Sequence, residues 1–417
     1  MKHSMLARIV TLGCRLNHAD SALLMARLQN LGYSLTDDET LPCELIVVNS
    51  CAVTAEAEAK SRRMISRLRR ENPGARIAAA GCAAEINGAA LLNSGADLVL
   101  TNPDKKLLGK EFAGVKSIEL PPENFAENST SVFPFRTRAF VKVQEGCDNF
   151  CSYCIVPYVR GPSRSRDFAE SVADCRQCIE TGIAEVVLTG VNTCNYNDNG
   201  KTLADLIRAV AALPGDFRIR LSSTEPHPGD MTIPELMAES SRLCRFLHLS
   251  MQHGSDRILQ LMKRRYTARD FAAFVADIRK LVPDIHIGTD FIVGFPGETE
   301  ADFNEALLIL QDVGFANIHA FAYSPRPGTP AAAMKEKVPA PVVKERLVRL
   351  RELAERSARD FACSQVGKKV PVIFERCDGG FARGWSDNYL EVSMPQELVQ
   401  CGRIIEVEAT AGNLQIL

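Results

Sequence analysis

The sequence places three cysteines, Cys147, Cys151 and Cys154, at a C-x3-C-x2-C spacing directly after an apolar run at 139–143. Thiolates are soft ligands that select iron–sulfur clusters, zinc or Cu(I). Three thiolates so close in sequence hold three irons of a [4Fe–4S] cluster and leave the fourth iron open to another ligand. Because an electron carrier keeps all of its irons capped by thiolates, this spacing favours a catalytic cluster.

A zinc site is the alternative for this loop. Zinc sites use paired C-x2-C spacings, or cysteine and histidine pairs, that close a tetrahedron of ligands. Here one C-x2-C pair is joined by an odd third cysteine, and no histidine occurs between Asp148 and His227. We therefore expect a cluster and keep zinc as the second interpretation.

Three further cysteines, Cys14, Cys51 and Cys82, each follow a predicted strand. The strands are expected at 7–12, 44–48, 75–80 and 97–100, with helices at 19–31, 55–70 and 83–93. Strands that alternate with helices predict a parallel α/β sheet, whose strands all end at one edge. We therefore expect the three thiols to meet at a second cluster with an open iron. Burial of each cysteine as a small hydrophobe is the alternative.

Strand and helix alternate again between 137 and 330. The six strands are predicted at 139–145, 185–189, 218–222, 246–251, 286–293 and 316–322. This pattern predicts a partial (β/α)6 barrel with its functional groups at the carboxyl ends of the strands. Polar residues and glycines at those ends are expected to line a ligand pocket beside the cluster: Gly190, Asn192, Ser222, Gln252 and Gly294. Phosphate binding at 288–298 is the rival interpretation, but the Gly-Lys-Ser/Thr of a P-loop is missing.

Two basic stretches, 60–70 and 160–166, suggest an anionic partner. The first has six basic residues in eleven on a predicted helix, a pattern typical of polyanion binding. The second follows the cysteine loop and could meet an RNA phosphate or the carboxylate of a cofactor. Solvated surface charge is the alternative for both stretches. The candidate contacts are Arg62, Arg63, Arg160, Arg164 and Arg166.

Composition limits the class of protein. The chain has 417 residues, a formal net charge of −2, and 46% hydrophobic and 24% charged residues, so any nucleic-acid site has to be a local patch. Its 14 cysteines, with no signal-peptide pattern, indicate thiols and metal ligands in a reducing cytoplasm. No apolar run reaches the ~18 residues of a membrane span.

The sequence pattern divides the chain into three predicted domains. We expect an α/β domain at 1–115, a linker rich in proline and asparagine at 116–136, and the barrel domain at 137–364. Short β-type runs separated by glycines at 365–417 predict a small β-barrel, and small barrels often bind nucleic acid. Four aromatic side chains of this last segment could stack on bases or fill its core: Phe374, Phe381, Trp385 and Tyr389.

These motifs together resemble the methylthiotransferases of the radical S-adenosylmethionine (SAM) superfamily over nearly the full chain. Two short segments, Cys51-Ala-Val-Thr54 and Lys60-Ser-Arg-Arg63, look most like the MtaB-type branch, which acts on N6-threonylcarbamoyladenosine in tRNA. The chain departs from the family at His253, where serine is usual. The other matching segments are Thr11-Leu-Gly-Cys14, Asn49-Ser-Cys51, Gly81-Cys82, Cys147/Cys151/Cys154 with Tyr153, Gly161-Pro-Ser-Arg164-Ser-Arg166, Asp290-Phe-Ile-Val-Gly-Phe-Pro-Gly-Glu298 and Tyr323-Ser-Pro-Arg-Pro-Gly-Thr329.

The resemblance implies two [4Fe–4S] clusters, with SAM bound at the open iron of the cluster after the first barrel strand. Tyr153 and the pocket residues named above would then contact SAM. It also implies a C-terminal TRAM domain, the tRNA anticodon stem-loop as partner, and a flavodoxin- or ferredoxin-like electron donor. Neither a membrane nor DNA is expected as a partner. The implied reaction replaces the C2 hydrogen of the modified adenine at position 37 by a methylthio group.

Three other functions stay open. A sibling methylthiotransferase would act on isopentenyladenosine in tRNA or on an aspartate of a ribosomal protein. A non-catalytic iron–sulfur or zinc protein would bind tRNA without cleaving SAM. A radical SAM enzyme with purely structural N-terminal cysteines would hold one cluster instead of two.

Overall fold

The protein is described here by a computed structural model, which covers residues 5–108 and 137–415. The predicted linker at 116–136 lies outside the described residues. Within the two described ranges, no helix combines the length and the apolar composition that crossing a membrane requires.

The N-terminal part is a five-stranded parallel sheet with the strand order β2-β1-β3-β4-β5. Its middle strand, β3, is buried along its whole length, as expected for a parallel strand covered by helices on both faces. The parallel sheet predicted from the sequence is confirmed. The elements are β1 (Met5–Thr11), α1 (Arg15–Asn30), β2 (Tyr33–Leu35), β3 (Leu45–Ser50), α2 (Ala55–Glu71), β4 (Arg76–Gly81), α3 (Cys82–Asn93) and β5 (Leu98–Leu100).

The central part is a partial barrel made of two parallel sheets, β12-β9-β6 and β13-β14-β15-β16. A single bridge between Ile219 and Leu243 joins the two sheets. The six predicted strands are all present, and the α/β barrel architecture is confirmed. The strands are β6 (Arg138–Lys142), β7 (Gln144–Glu145), β8 (Arg164–Ser165), β9 (Glu185–Thr189), β10 (Asn197–Asp198), β11 (Lys201–Thr202), β12 (Arg218–Leu221), β13 (Ser223–Thr224), β14 (Phe246–Leu249), β15 (His286–Val293) and β16 (Asn317–Ala322).

Helices cover the outer face of the barrel, where Leu247, Phe291 and Phe303 belong to one continuous apolar core. Three of these helices begin with a capping box, in which a threonine and an aspartate three residues later satisfy each other's backbone N–H groups: Thr202–Asp205, Thr267–Asp270 and Thr299–Asp302. The helices are α4 (Val156–Arg160), α5 (Phe168–Glu180), α6 (Leu203–Ala211), α7 (Thr232–Glu239), α8 (Asp256–Leu261), α9 (Ala268–Leu281), α10 (Glu300–Val313) and α11 (Ala340–Ser364).

The C-terminal part is a curled antiparallel sheet, a half-barrel with the strand order β19-β18-β17-β20. Phe374 lies in its core, whereas Phe381 is about half exposed. Near the C terminus, Val392 and Leu414 form a single bridge, and residues 416–417 lie outside the described range. The strands are β17 (Lys369–Asp378), β18 (Phe381–Ser386), β19 (Glu391–Pro395) and β20 (Ile404–Glu408).

The flanking sheets contact different parts of the barrel. The C-terminal sheet lies across the end where the strands begin, which we call the amino end: Arg218 donates to the carbonyl of Pro371 at 2.8 Å, and Arg245 pairs with Asp387 at 2.7 Å.

The N-terminal sheet spans the gap between the first and last barrel strands. His18 of α1 stacks on Phe140 of β6, with ring centroids 5.6 Å apart. After β16, the hydroxyl of Ser324 accepts from the backbone N–H of Ala55 at 3.0 Å. The partial barrel is therefore completed by the start of the chain.

Candidate active site

The first cysteine set lies in the loop between β7 and α4. Gly146 has a φ of 73°, and a Cβ there would lie 1.8 Å from the carbonyl oxygen of Pro162, so the loop excludes every other residue. Cys147 and Cys151 are buried and Cys154 is partly buried. Burial, with smaller contributions from the neighbouring thiols, raises the pKa of Cys154 to about 12. A free Cys154 thiol stays protonated at neutral pH, so binding an iron or zinc ion there would release a proton.

Two donors already face this set. The backbone N–H of Asn149 lies 3.5 Å from Cys147 Sγ, and Nη1 of Arg264 lies 3.4 Å from Cys151 Sγ. Donors of this kind favour a thiolate over a thiol, which is the form that ligates iron. Arg264 is itself held by Glu225 at 2.8 Å. The residues around the loop therefore fit a cluster carried by thiolates.

The second cysteine set is assembled by the N-terminal sheet. Cys14, Cys51 and Cys82 follow β1, β3 and β4, and each comes at the carboxyl end of its strand. Gly13 has a φ of 103°, and a Cβ there would lie 2.8 Å from Cys51 Sγ. Burial, with smaller contributions from the thiols of Cys14 and Cys82, raises the pKa of Cys51 to about 11. The structure thus brings these three thiols together.

The spacing of both sets argues against a single zinc ion. Among the described residues, the one group of three metal-ligating side chains whose ligand atoms all lie within 4.8 Å of one another is His248, Asp290 and His319. Neither cysteine set is that compact. A tetrahedral zinc ion, with Zn–S bonds of about 2.3 Å, needs its thiolates tightly packed, whereas a four-iron cluster spreads them farther apart. Both sets therefore fit a cluster better than an ion.

A short segment connects the two sets. Ile155 and Val159, directly after the first cysteine loop, pack in the same apolar core as Cys82. The side-chain amide of Asn102 donates to the carbonyl of Val159 at 2.7 Å and lies 3.8 Å from Cys82 Sγ. Both cysteine sets therefore border one interface between the N-terminal sheet and the barrel.

Arg160 locks this interface. Its guanidinium donates to Asn17 at 2.6 Å and to Asp20 at 3.2 Å on helix α1, and to Glu145 at 2.7 Å in the barrel. Lys142 also binds Asp20, at 2.9 Å. Arg160 is buried, so the structure gives it a role between the two parts of the protein instead of a place on the surface.

Two of the predicted pocket residues have buried polar atoms without partners. Neither Nδ2 nor Oδ1 of Asn192 makes a hydrogen bond within the described residues, and the same holds for Oγ of Ser222. Buried polar groups are normally satisfied, so these atoms mark a place for a polar ligand. They follow β9 and β12, at the carboxyl end of the barrel where the first cysteine loop also lies. This arrangement fits a bound SAM.

The other predicted pocket residues lie where the backbone is strained or where a neighbouring group approaches it closely. Gln252 has a φ of 72°, a strained conformation typical of functional sites. Gly190 adjoins Gln144, whose Oε1 accepts from the N–H groups of Val191 and Asn192 at 2.9 Å each. Gly294 has a φ of 77°, and a Cβ there would lie 2.5 Å from Val343.

Tyr153 and His253 lie in apolar surroundings. Tyr153 packs against the core that holds Phe295, together with Tyr323, and burial raises its pKa well above its ordinary value. His253 stacks on Phe291 with ring centroids 5.0 Å apart, and burial lowers its pKa to about 3. The departure from the family at His253 therefore introduces a neutral core residue.

The predicted substrate arginines differ in exposure. On α2, Arg62 pairs with Glu58 at 2.9 Å and Arg63 with Glu56. Arg166 is buried against Asp174, whereas the side chain of Arg164 is 39% exposed. These two arginines of α2 therefore form ion pairs with glutamates of the same helix, which the count of basic residues alone did not suggest. RNA contact by Arg62, Arg63, Arg164 and Arg166 stays a prediction.

Sequence reasoning missed Arg264, which contacts Cys151. It lies in the run Lys263-Arg264-Arg265, which has the composition of an exposed turn. Its side chain is nevertheless only 3% exposed. No local pattern marks it, because its partner sulfur is 113 residues away in sequence.

Known protein families match the two parts of the chain that carry the two cysteine sets. A family model for the radical SAM superfamily matches residues 141–310, and a model described as uncharacterized protein family UPF0004 matches residues 7–101. Among solved structures, the radical SAM methyltransferase TsrM from Kitasatospora setae superposes with a TM-score of 0.59 at 17% identity, over 79% of this chain and 77% of that one. At that identity the likeness shows a shared fold.

Curated relatives span nearly the whole chain. A Chlamydia pneumoniae protein named threonylcarbamoyladenosine tRNA methylthiotransferase MtaB is 36% identical over 93% of this chain and 91% of its own. The Bacillus subtilis protein of the same name is 34% identical over 95% and 92%. A Cereibacter sphaeroides tRNA-2-methylthio-N(6)-dimethylallyladenosine synthase is 36% identical over 97% and 95%.

These relatives confirm the family predicted from the motifs. Radical SAM methylthiotransferases use [4Fe–4S] clusters and SAM, and the two cysteine sets and the unpartnered polar atoms at the carboxyl end fit those cofactors. With more than 30% identity over more than 90% of both chains, this chain belongs to the radical SAM tRNA methylthiotransferase family.

Proposed function

We propose that this enzyme transfers a methylthio group to C2 of N6-threonylcarbamoyladenosine at position 37 of tRNA. The observation behind the reaction is that two three-cysteine sets border one interface, joined by the segment from Ile155 to Val159. The choice of substrate is supported by the MtaB names of the Chlamydia and Bacillus relatives and by the branch-like segments at 51–54 and 60–63.

In this proposal each residue set has one task. Cys147, Cys151 and Cys154 hold one cluster, and Cys14, Cys51 and Cys82 hold the other. When bound, the clusters and SAM supply the radical that removes the C2 hydrogen and the sulfur that replaces it. Asn192 and Ser222 bind polar groups of SAM with the side-chain atoms that find no partner among the described residues. The interface locked by Arg160 keeps water from the reaction.

The partners follow from the same reaction. The tRNA anticodon stem-loop enters at the carboxyl end of the barrel, beside this interface, and the exposed ring of Phe381 on the C-terminal sheet is available for base stacking. A flavodoxin- or ferredoxin-like protein supplies the electron. We keep the domain division at 1–115, 137–364 and 365–417 as part of this proposal.

The substrate is tested with two purified tRNAs, one carrying threonylcarbamoyladenosine and one carrying dimethylallyladenosine at position 37. After anaerobic reaction with SAM and a reductant, the tRNA is digested to nucleosides, which are separated and identified by mass spectrometry. We expect the methylthio product from the first tRNA. Product from the second tRNA alone would establish the dimethylallyl sibling function, which the Cereibacter relative at 36% identity represents.

The number of clusters is tested by iron and sulfide analysis after anaerobic reconstitution. Wild-type protein should hold about eight irons per chain, and the triple variant Cys14→Ala/Cys51→Ala/Cys82→Ala about four. About four irons in both proteins would leave the N-terminal cysteines without a cluster and remove the sulfur source from the proposal.

A further inference from the structure

Three polar side chains lie side by side on the inner face of the barrel. His248 is on β14, Asp290 on β15 and His319 on β16, three neighbouring strands of one sheet. Asp290 accepts at one oxygen from Nε2 of His248, at 3.2 Å, and at the other from Nδ1 of His319, at 3.1 Å. The alternating residues of the same strands face the helices and the apolar core. This histidine–aspartate–histidine array therefore faces the chamber.

The array is connected to the first cysteine set. The hydroxyl of Ser250 lies 3.4 Å from Asp290, and the carbonyl of Ser250 accepts from Nη2 of Arg264 at 2.8 Å. Nη1 of the same arginine lies 3.4 Å from Cys151 Sγ. Two residues thus link Asp290 to a predicted cluster ligand, which places the array in the reaction chamber.

His319 is the accessible member of the array. Its side chain is 50% exposed, against 28% for Asp290 and 8% for His248. Among the described residues, Nε2 of His319 makes no hydrogen bond, because its contact with Asp290 uses Nδ1. Hydrogen bonds from both histidines hold the pKa of Asp290 well below its ordinary value against the effect of burial. A charged carboxylate therefore fixes the ring and leaves Nε2 for a ligand.

The position of His319 favours the RNA substrate over SAM as that ligand. The unpartnered atoms of Asn192 and Ser222 belong to the loops that follow the far strands β9 and β12. β16 is instead the last strand, at the edge that the N-terminal sheet covers. Directly after it, Arg326 pairs with Glu58 of α2 at 2.7 Å. A nucleotide that enters the chamber beside the N-terminal sheet passes this edge.

We propose that His319 recognises the substituent on N6 of the target adenine and selects threonylcarbamoyl over dimethylallyl. This inference rests on the proposed function and names the residue that sets its specificity. Asp290 and His248 are positioning residues, which act by holding the His319 ring. The threonyl group ends in a carboxylate. With its Nδ1–H donated to Asp290, the protonated His319 ring still presents Nε2–H, and a hydrogen bond from that imidazolium to the carboxylate is charge-assisted. The dimethylallyl group offers no acceptor, so the ring would lose water without gaining a partner.

The test compares His319→Phe with His319→Gln in the reconstituted enzyme. Gln keeps a donor of similar reach, whereas Phe keeps only the ring. We expect His319→Phe to lower kcat/KM for threonylcarbamoyladenosine tRNA by about 10- to 100-fold, mainly through KM, and to leave turnover of dimethylallyladenosine tRNA unchanged or higher. His319→Gln should restore part of the loss, and Asp290→Asn should show a smaller loss of the same kind. Iron content and SAM affinity should equal those of wild type.

The outcomes separate this inference from the proposed function. Wild-type enzyme that modifies only dimethylallyladenosine tRNA would overturn the proposed function. Wild-type enzyme that prefers threonylcarbamoyladenosine, with His319→Phe showing the same preference, would overturn the role of His319 alone. One zinc per chain in the wild-type holoenzyme, lost in His319→Phe, would assign the array to a metal ion and also overturn the inference.

Discussion

The two ends of the barrel differ in whether their buried polar side chains have partners. At the amino end, Glu185 is completely buried and accepts from Arg218 at 2.6 Å and from Arg220 at 2.8 Å. The same two arginines donate to backbone carbonyls of the C-terminal sheet at 2.8 to 3.0 Å. At the carboxyl end, Asn192 and Ser222 are equally buried and have no partners among the described residues.

This difference separates stability from function within one barrel. A buried charge without partners would lower stability by about 3–5 kcal/mol, so the buried charges at the amino end are paired. A buried amide or hydroxyl without partners costs less, about 1–3 kcal/mol, and a ligand removes that cost on binding. The predictions below test whether the two ends are separable in this way.

The largest effect is expected at the amino end. Glu185→Gln leaves Arg218 and Arg220 buried without their countercharge, and should lower the free energy of unfolding by about 3–5 kcal/mol. Thermal unfolding followed by circular dichroism should show a midpoint lower by roughly 10 °C. The control is Glu56→Gln, since Glu56 is 78% exposed and its loss should change stability by at most about 0.5 kcal/mol. Equal midpoints for both variants would contradict a stabilising role for this end.

A smaller effect, of the opposite kind, is expected at the carboxyl end. Asn192→Ala should weaken SAM binding by about 10-fold in equilibrium dialysis and leave thermal stability unchanged or higher, because the Asn192 side chain makes no hydrogen bond to the described residues and the variant removes an unsatisfied buried amide. The matched control is Asn388→Ala, since Asn388 is a buried asparagine at the amino end that donates to Gln365 at 3.1 Å and accepts from Ser386 at 2.6 Å. That variant should lose stability and keep SAM affinity. The reverse result for the pair would break the comparison.

The smallest effect is a pH dependence. Burial alone would raise the pKa of Glu185, but Arg220 and Arg218 hold it well below its ordinary value of 4.5. A depressed acid pKa stabilises the fold above the unfolded-state pKa and loses that contribution as the pH falls below it. The stability gap between wild type and Glu185→Gln should therefore narrow by about 1.4 kcal/mol per pH unit below pH ~4. Denaturant titrations at pH 6 and 3.5 would measure it; a constant gap would contradict the assignment.

Local patterns in the sequence accounted for the parallel sheets, the six barrel strands and the position of each cysteine at the end of its strand. They did not account for elements whose cause is distant in sequence. β2 has only three residues and forms by pairing with β1 at the edge of the sheet. β18 contains Gly384, and a glycine weakens the sequence pattern of a strand. The structure requires glycine there, because a Cβ would lie 2.3 Å from the carbonyl oxygen of Ile373 on the neighbouring strand.

The functional site shows the same division. The cysteines were predictable because spacing or strand order alone brings them together. Arg160 was predicted as a substrate contact, but its partner Asn17 is 143 residues away, so its burial depends on how the N-terminal sheet meets the barrel. His319 gave no signal in the sequence, because its meaning depends on Asp290, which faces it across two paired strands.

The C-terminal sheet has a consequence for the traffic of reactants. It lies across the amino end of the barrel, and Tyr389 fills the space beside Phe246 and Arg220, with centroid distances of 4.7 and 5.0 Å. Among the described residues, the chamber is therefore closed at the amino end of the barrel, and reactants enter and leave through the carboxyl end. The ligand that binds deepest has to bind first and dissociate last, so this geometry imposes an ordered sequence of binding and release.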